Sequence, residues 1–151
     1  MRIIKLGLIS FFFIFLLLTL FSLLFPSQIR ISRAANVPNQ RDSIFALLKD
    51  EPAWHPAYLD TASRQQMQSL NRTVVEETDS TLIYSLQQTG RKKVINAWVL
   101  HGTPASDSLT LQWYMDFNLS WYPWEKFSSL FYEKTYGAMM ESGLNNLKKR
   151  L

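Results

Sequence analysis

The side chains able to do chemistry are few. His55 and His101 are the only histidines in 151 residues, and there is no cysteine. Zinc is held by clustered nitrogen, sulfur or carboxylate ligands at short spacings, and neither histidine has a histidine or carboxylate partner at helical ligand spacing. The missing cysteines exclude disulfides, thiol nucleophiles and cysteine-ligated metal. Glu76 and Glu77 are adjacent, and neighbours on a strand point to opposite faces, so they are poorly placed as an acid/base pair. Asp116 falls on the polar side of an alternating run and is expected to be solvated. No glycine-rich phosphate loop and no nucleophile elbow is present. Asn96 lies inside the apolar run KVINAWVLH; facing inward with Trp98, it could orient a polar group of a ligand. The residues call for no cofactor and no metal.

The elements that would position these residues follow from periodicity. QIRISR (28–33) alternates polar and apolar, a half-buried strand. Pro38 and Asn39 make a turn, and Ile44, Leu47 and Leu48 recur at helical spacing, which predicts a helix from Gln40 to Lys49. EPAWHPAYLDTAS carries two prolines and reads as a loop or a short broken helix anchored by Trp54 and Tyr58. Four strands are then expected. They are Leu70–Glu76, Thr81–Gln88, Lys93–His101 and Ser108–Phe117. Leu82, Tyr84 and Leu86 share a face of the second. The third is apolar at nearly every position and is expected to be covered on both faces. In the fourth, Leu109, Leu111, Trp113, Met115 and Phe117 share one face. Turns at Gly90 and across 102–107 make consecutive antiparallel hairpins the natural topology. The run Arg91-Lys92-Lys93 reads as a solvated hairpin tip.

Pro123 suits the first turn of a helix, and no breaker follows before Leu151. Tyr136, Met140, Leu144, Leu147 and Leu151 form one apolar stripe. Gly137 and Gly143 sit inside this helix, where each costs roughly 1 kcal/mol relative to alanine. They either let the helix approach a sheet or leave space where a side chain would have filled a cavity. Lys148, Lys149 and Arg150 complement the dipole at its end.

Ahead of all this, Leu6 to Phe25 contains no charge, and Pro26 ends it. About 20 apolar residues in a helix span a bilayer core, whereas the apolar region of a secretory signal runs to about 7–15. Residues 1–26 are therefore expected to be an uncleaved transmembrane anchor and 27–151 a single domain. Arg2 and Lys5 before the apolar run favour a cytoplasmic N-terminus and a domain on the other side, while Arg30, Arg33 and Arg41 pull the opposite way. The very short N-terminal tail decides for the extracytoplasmic domain. Net charge is +4 overall and +2 for residues 26–151, since Arg2 and Lys5 lie in the anchor. That bias is too small to argue for nucleic acid.

The strand LTLQWYMDF, a short loop and a closing helix ending in MMESGLNNLKK resemble the SRPBCC superfamily, whose helix-grip fold is shared by START lipid-transfer domains and polyketide cyclase-like proteins. RISRAANVPNQRDSIFALLKD is similar to that family's first strand and helix, and AWHPAY to its Trp-and-Pro segment. The resemblance implies an α+β chain with a curved antiparallel sheet packed around a long C-terminal helix. An N-terminal anchor before such a domain is a pattern of the family's bacterial members, so with the apolar run and its flanking charges the expectation is a bacterial, single-pass inner-membrane protein with a periplasmic domain. Five or six strands are countable here against seven in the family, so the family's cavity size does not carry over.

In the family an apolar cavity between sheet and helix binds lipids, sterols or polyketides. The residues the resemblance offers for such a site are Tyr84, Asn96, Trp98, Trp113, Met115, Met139, Met140 and Gly143. Aromatics and methionines line adaptable pockets, and they fill ordinary cores equally well. Three functions follow. One is a membrane-tethered module that binds an apolar small molecule or lipid. A second is a non-catalytic interaction or structural protein with a collapsed cavity and an aromatic patch at Trp121, Tyr122 and Trp124. That patch could equally sit at a bilayer interface. The third is a cyclase-type enzyme, which needs a buried acid or base that the sequence does not offer.

Overall fold

The alternation in SLTLQWYMDF builds the central strand, β5 (Ser108–Asn118), in a computed structural model that describes residues 2–50, 55–88, 92–103 and 105–151. Expectations placed on Trp54, Gly90 and Arg91 lie outside the described residues. β5 pairs on one side with β1 (Gln28–Pro38) and on the other with β4 (Val94–His101). β3 (Thr81–Gln87) and β2 (Asn71–Glu77) continue the meander, giving one antiparallel sheet in the order β1-β5-β4-β3-β2. β1 extends beyond Arg33 to Pro38 because β5 pairs with it throughout, from Gln28↔Asn118 to Pro38↔Ser108. Proline is tolerated there because β1 is an edge strand. β2, the other edge, shifts register between Val74 and Glu76, a bulge of the kind that blunts exposed edges.

β4 corrects one expectation. It is not covered on both faces. Asn96, Trp98 and Leu100 are buried inward, while Ile95 and Val99 on the outer face stay half-exposed. On that outer face Ala97 sits between its cross-strand partners Ile83 and Tyr114. Apolar side chains there shield one another, so a nearly continuous apolar run arises in a sheet covered on one side only.

The inner face is closed by helices. α2 (Arg41–Lys49) contributes Ile44 and Leu48 to the core. The two-proline segment delivers Tyr58 and Leu59 to the core and then starts α3 (Thr61–Gln68), a helix that periodicity did not signal. Its sequence, TASRQQMQ, buries a single side chain, Met67; the Asp60 carboxylate starts it by accepting from the Ser63 N–H at 2.8 Å.

The C-terminal helical segment is continuous in course but not regular. α4 (Pro123–Ser128) passes through a 3₁₀ turn (Ser129–Phe131) and a π turn (Glu133–Gly137) into α5 (Ala138–Lys148). Its stripe faces the sheet as expected, with Met140, Leu144 and Leu147 buried and Tyr136 and Leu151 half-buried.

Both glycines serve close approach. A Cβ on Gly137 would lie 2.6 Å from Nη2 of Arg33, which crosses the helix there to reach Glu133. A Cβ on Gly143 would lie 2.8 Å from Cζ3 of Trp113 and 3.1 Å from Cδ2 of Leu59. Gly143→Ala gains about 1 kcal/mol of helix propensity, against about 1–3 kcal/mol for overpacking a filled core. Trp113 is held on its other side, so a net loss of stability is expected, read as a lower denaturant midpoint. An unchanged or raised midpoint would show that the helix can retreat.

α1 (Arg2–Ser22) precedes β1 and lies outside the core. Its stretch Ile3–Ser22 is long and apolar enough to cross a membrane, and it stays uncovered by the rest of the chain except at its end, where Ser22 is buried.

Candidate functional site

The middle of the space between sheet and helix is filled. Trp98 and Trp113 are cross-strand partners with stacked rings 4.1 Å apart. Tyr58 meets both edge-on, at 5.5 and 6.1 Å. The Trp113 indole N–H donates to Oδ1 of Asn96 at 2.5 Å, inside the core. Asn96 thus faces inward with Trp98, and its carbonyl is occupied by a structural hydrogen bond. Tyr84 is buried beneath the Arg72 guanidinium, whose carbon sits 3.4 Å from the ring centroid. Burial there pushes the Arg72 pKa down to about 10, since desolvation disfavours the charged form. Met140 is fully buried, and Gly143 abuts Trp113. Six of the eight candidate residues therefore belong to closed packing.

The other two, Met115 and Met139, border an open pocket of about 200 Å³ between α3, the end of the sheet and the C-terminal helix. Met67, Leu70, Leu86 and Phe117 also line it. Through Lys92, Val94, Phe117 and Tyr136 it shares walls with a larger cleft of about 670 Å³ that reaches Tyr122 and Glu125 on the α4 side. Aromatic rings form the wall: Phe117 lies 4.9 Å from Tyr132 and 4.7 Å from Tyr136, and the two tyrosines meet edge-on at 5.4 Å. Lys92 and Lys93 stand exposed at the rim. Glu125 accepts from the Ser120 N–H at 2.6 Å and so fixes the turn into α4.

The sequence carries a signal for this wall. Tyr132 and Tyr136 are four residues apart, so on a helix they share a side, and Phe117 closes the alternating face of β5. The stacking of Trp98 on Trp113 depends on the register of β4 against β5, which composition does not fix.

The other polar candidates are scattered. His101 pairs with Gln112 at 2.9 Å on the surface, and His55 contacts Gln68. Asp116 lies on the outer face of β5, as expected, and takes two hydrogen bonds from Arg30 there, at 2.6 and 2.7 Å. Among the described residues no group of three histidines or carboxylates gathers as a metal site would require. A second, charged groove of about 630 Å³ lies between α2 and the β2–β3 turn, lined by Arg41, Lys49, Glu77 and Asp79.

No protein-family model matches this sequence, and no curated protein does either. Solved structures do match. The di-domain ARO/CYC StfQ from the steffimycin biosynthetic pathway aligns with TM-score 0.56 at 10% identity, over 81% of this chain and 50% of that one. This chain therefore spans half the length of that di-domain protein. Norcoclaurine synthase from Thalictrum flavum aligns with TM-score 0.53 at 11% identity, over 82% of this chain and 96% of the enzyme. A START superfamily protein from Mycobacterium smegmatis aligns with TM-score 0.51 at 18% identity, over 80% and 95%. Such identities speak for the fold alone. With its five-stranded antiparallel sheet closed around a C-terminal helical segment, this chain has the α+β helix-grip fold that these structures share.

Proposed function

We propose that this chain is a membrane-tethered module that holds an apolar small molecule or lipid in the cleft between the end of the sheet and the C-terminal helix. The cleft itself carries the reading. The centre of the core is plugged by Trp98, Trp113 and Tyr58, yet the space beside it stays open and is walled by Phe117, Tyr132 and Tyr136. The cleft of about 670 Å³ falls in the range of ligand pockets, about 300–1,000 Å³, and the pocket of about 200 Å³ bordered by Met115 and Met139 adjoins it. Expected ligand contacts are Met115 and Met139, joined by Val94 and the three aromatics. α1 is the tether, with Arg2 and Lys5 on the cytoplasmic side and the domain outside.

A non-catalytic interaction protein is the second reading, favoured by the plugged core and by the exposed rings of Trp121 and Trp124.

The test is native mass spectrometry of the full chain, released from detergent under conditions that strip loosely held lipid. A retained apolar molecule in stoichiometric amount is expected. A bare chain mass at every release energy, with no thermal shift from a panel of lipids, would favour the interaction protein.

A further inference from the structure

The segment after β5 is unusual for a soluble surface. Trp121, Trp124, Leu130 and Phe131 are 57%, 60%, 57% and 66% exposed. Tyr122 stacks on Trp124 at 4.7 Å and leans on Trp121 at 4.7 Å, so the rings form one patch. Exposed apolar patches of this kind mark contact with a partner or a membrane.

The place of the patch decides between them. α4 is locked to the end of α1. The Lys126 side chain is buried, and its ammonium donates to the carbonyls of Phe25 and Pro26, at 3.1 and 2.8 Å, and to Oγ of Ser27 at 2.9 Å. These acceptors lie in the link between α1, which ends at Ser22, and β1, so the buried ammonium ties that link to α4. Phe25 packs edge-on against Phe127 at 5.7 Å, and the Ser22 hydroxyl reaches the Trp121 carbonyl at 3.3 Å. The aromatic patch is therefore fixed at the level where the apolar helix ends, which is where tryptophan and tyrosine collect in membrane proteins.

We propose that Trp121–Phe131 seats in the interface of the same bilayer that α1 enters, and that this presents the cleft mouth to the lipid surface. The proposal rests on the tethered reading of α1. Strand register supports it: Gln28 pairs with Asn118 and Val94 with Phe117, so the exit of α1, the end of β5 and Lys92–Lys93 all lie at one end of the sheet. Tyr122, Glu125 and Ser128 of the docking segment line the cleft. Lys92 and Lys93 then stand at headgroup height, where cations attract anionic lipid. The ligand class this defines is an anionic amphiphile taken from the membrane rather than from solution.

The chain contains no cysteine, so a single introduced thiol gives a unique spin label. The full chain is reconstituted in vesicles of phosphatidylcholine and phosphatidylglycerol. Labels go on Trp124→Cys, Phe131→Cys, Lys93→Cys, Leu18→Cys and Asp107→Cys. Asp107 marks the far end of β5, roughly 35 Å away at a strand's rise per residue. Labels at 124 and 131 are expected to collide with oxygen several-fold more than with an aqueous nickel chelate. The label at 93 should be intermediate, and that at 107 aqueous. Aqueous labels at 124 and 131 with a lipid-immersed label at 18 would overturn the docking and leave the tether standing. An aqueous label at 18 would overturn the tether and the docking with it. Labels that are aqueous in vesicles but shielded in native membranes would assign the patch to a protein partner, and would also overturn the proposal.

Discussion

Tryptophan in place of Met139 is expected to remove at least nine-tenths of the ligand retained by the full chain. Met139 lies on the pocket wall with Met115 and Phe117, so a larger indole occupies the space a ligand needs. A tenfold loss corresponds to about 1.4 kcal/mol of binding free energy. Stability should change less, because the added ring enters open space instead of a filled core. Met140→Trp is the matched control. Met140 is wholly buried, and overpacking there costs about 1–3 kcal/mol without closing the pocket. Bound fraction by native mass spectrometry and unfolding midpoint by denaturant separate the two. Equal binding by wild type and Met139→Trp would place the ligand elsewhere.

Removing the Trp113 side chain is expected to have the largest effect on stability. Its ring stacks on Trp98, receives the edge of Tyr58, packs under Gly143 and donates to Asn96. Truncation of a buried aromatic to alanine costs about 3–5 kcal/mol. It also leaves the Asn96 carbonyl without its donor, a loss of about 1–3 kcal/mol for a buried group. The two are not additive, and a total near 4–5 kcal/mol is expected, a large share of the about 5–15 kcal/mol typical of a domain. Trp113→Phe, which keeps ring packing but not the donor, should recover more than half. Denaturant unfolding of the full chain reads both. A loss under about 2 kcal/mol for Trp113→Ala would mean that the aromatic plug is loose and that the central cavity is available after all.

What could be read from residues was what depends on local pattern. Alternation in Leu109–Phe117 defined β5 and its buried face, and the stripe from Tyr136 to Leu151 defined the helix that covers it. α3 escaped because it buries only Met67 and owes its start to the Asp60 cap. The two-sided burial expected of β4 failed because apolar content alone does not say whether a second layer exists. The resemblance led to the inner face as a whole. Which part of that face is filled depends on Trp98 meeting Trp113 across the β4–β5 register, and on Gly143 admitting that ring. Those are long-range facts. The apolar N-terminal helix was plain from composition, but its junction was not, because Lys126 meets Phe25 and Pro26 across about a hundred residues of chain.

The most direct measurement is photo-crosslinking. A phospholipid with a diazirine in its acyl chain is incorporated in vesicles that hold the full chain, photolysed, and its adducts are mapped by peptide mass spectrometry. Adducts are expected on Val94, Phe117, Tyr132, Tyr136 and Met139, lost in Met139→Trp, in addition to those on α1. Adducts confined to α1 and the surface of Trp121–Phe131, with the cleft unlabelled, would contradict a lipid-holding cleft and leave a helix-grip domain that meets the membrane without taking anything from it.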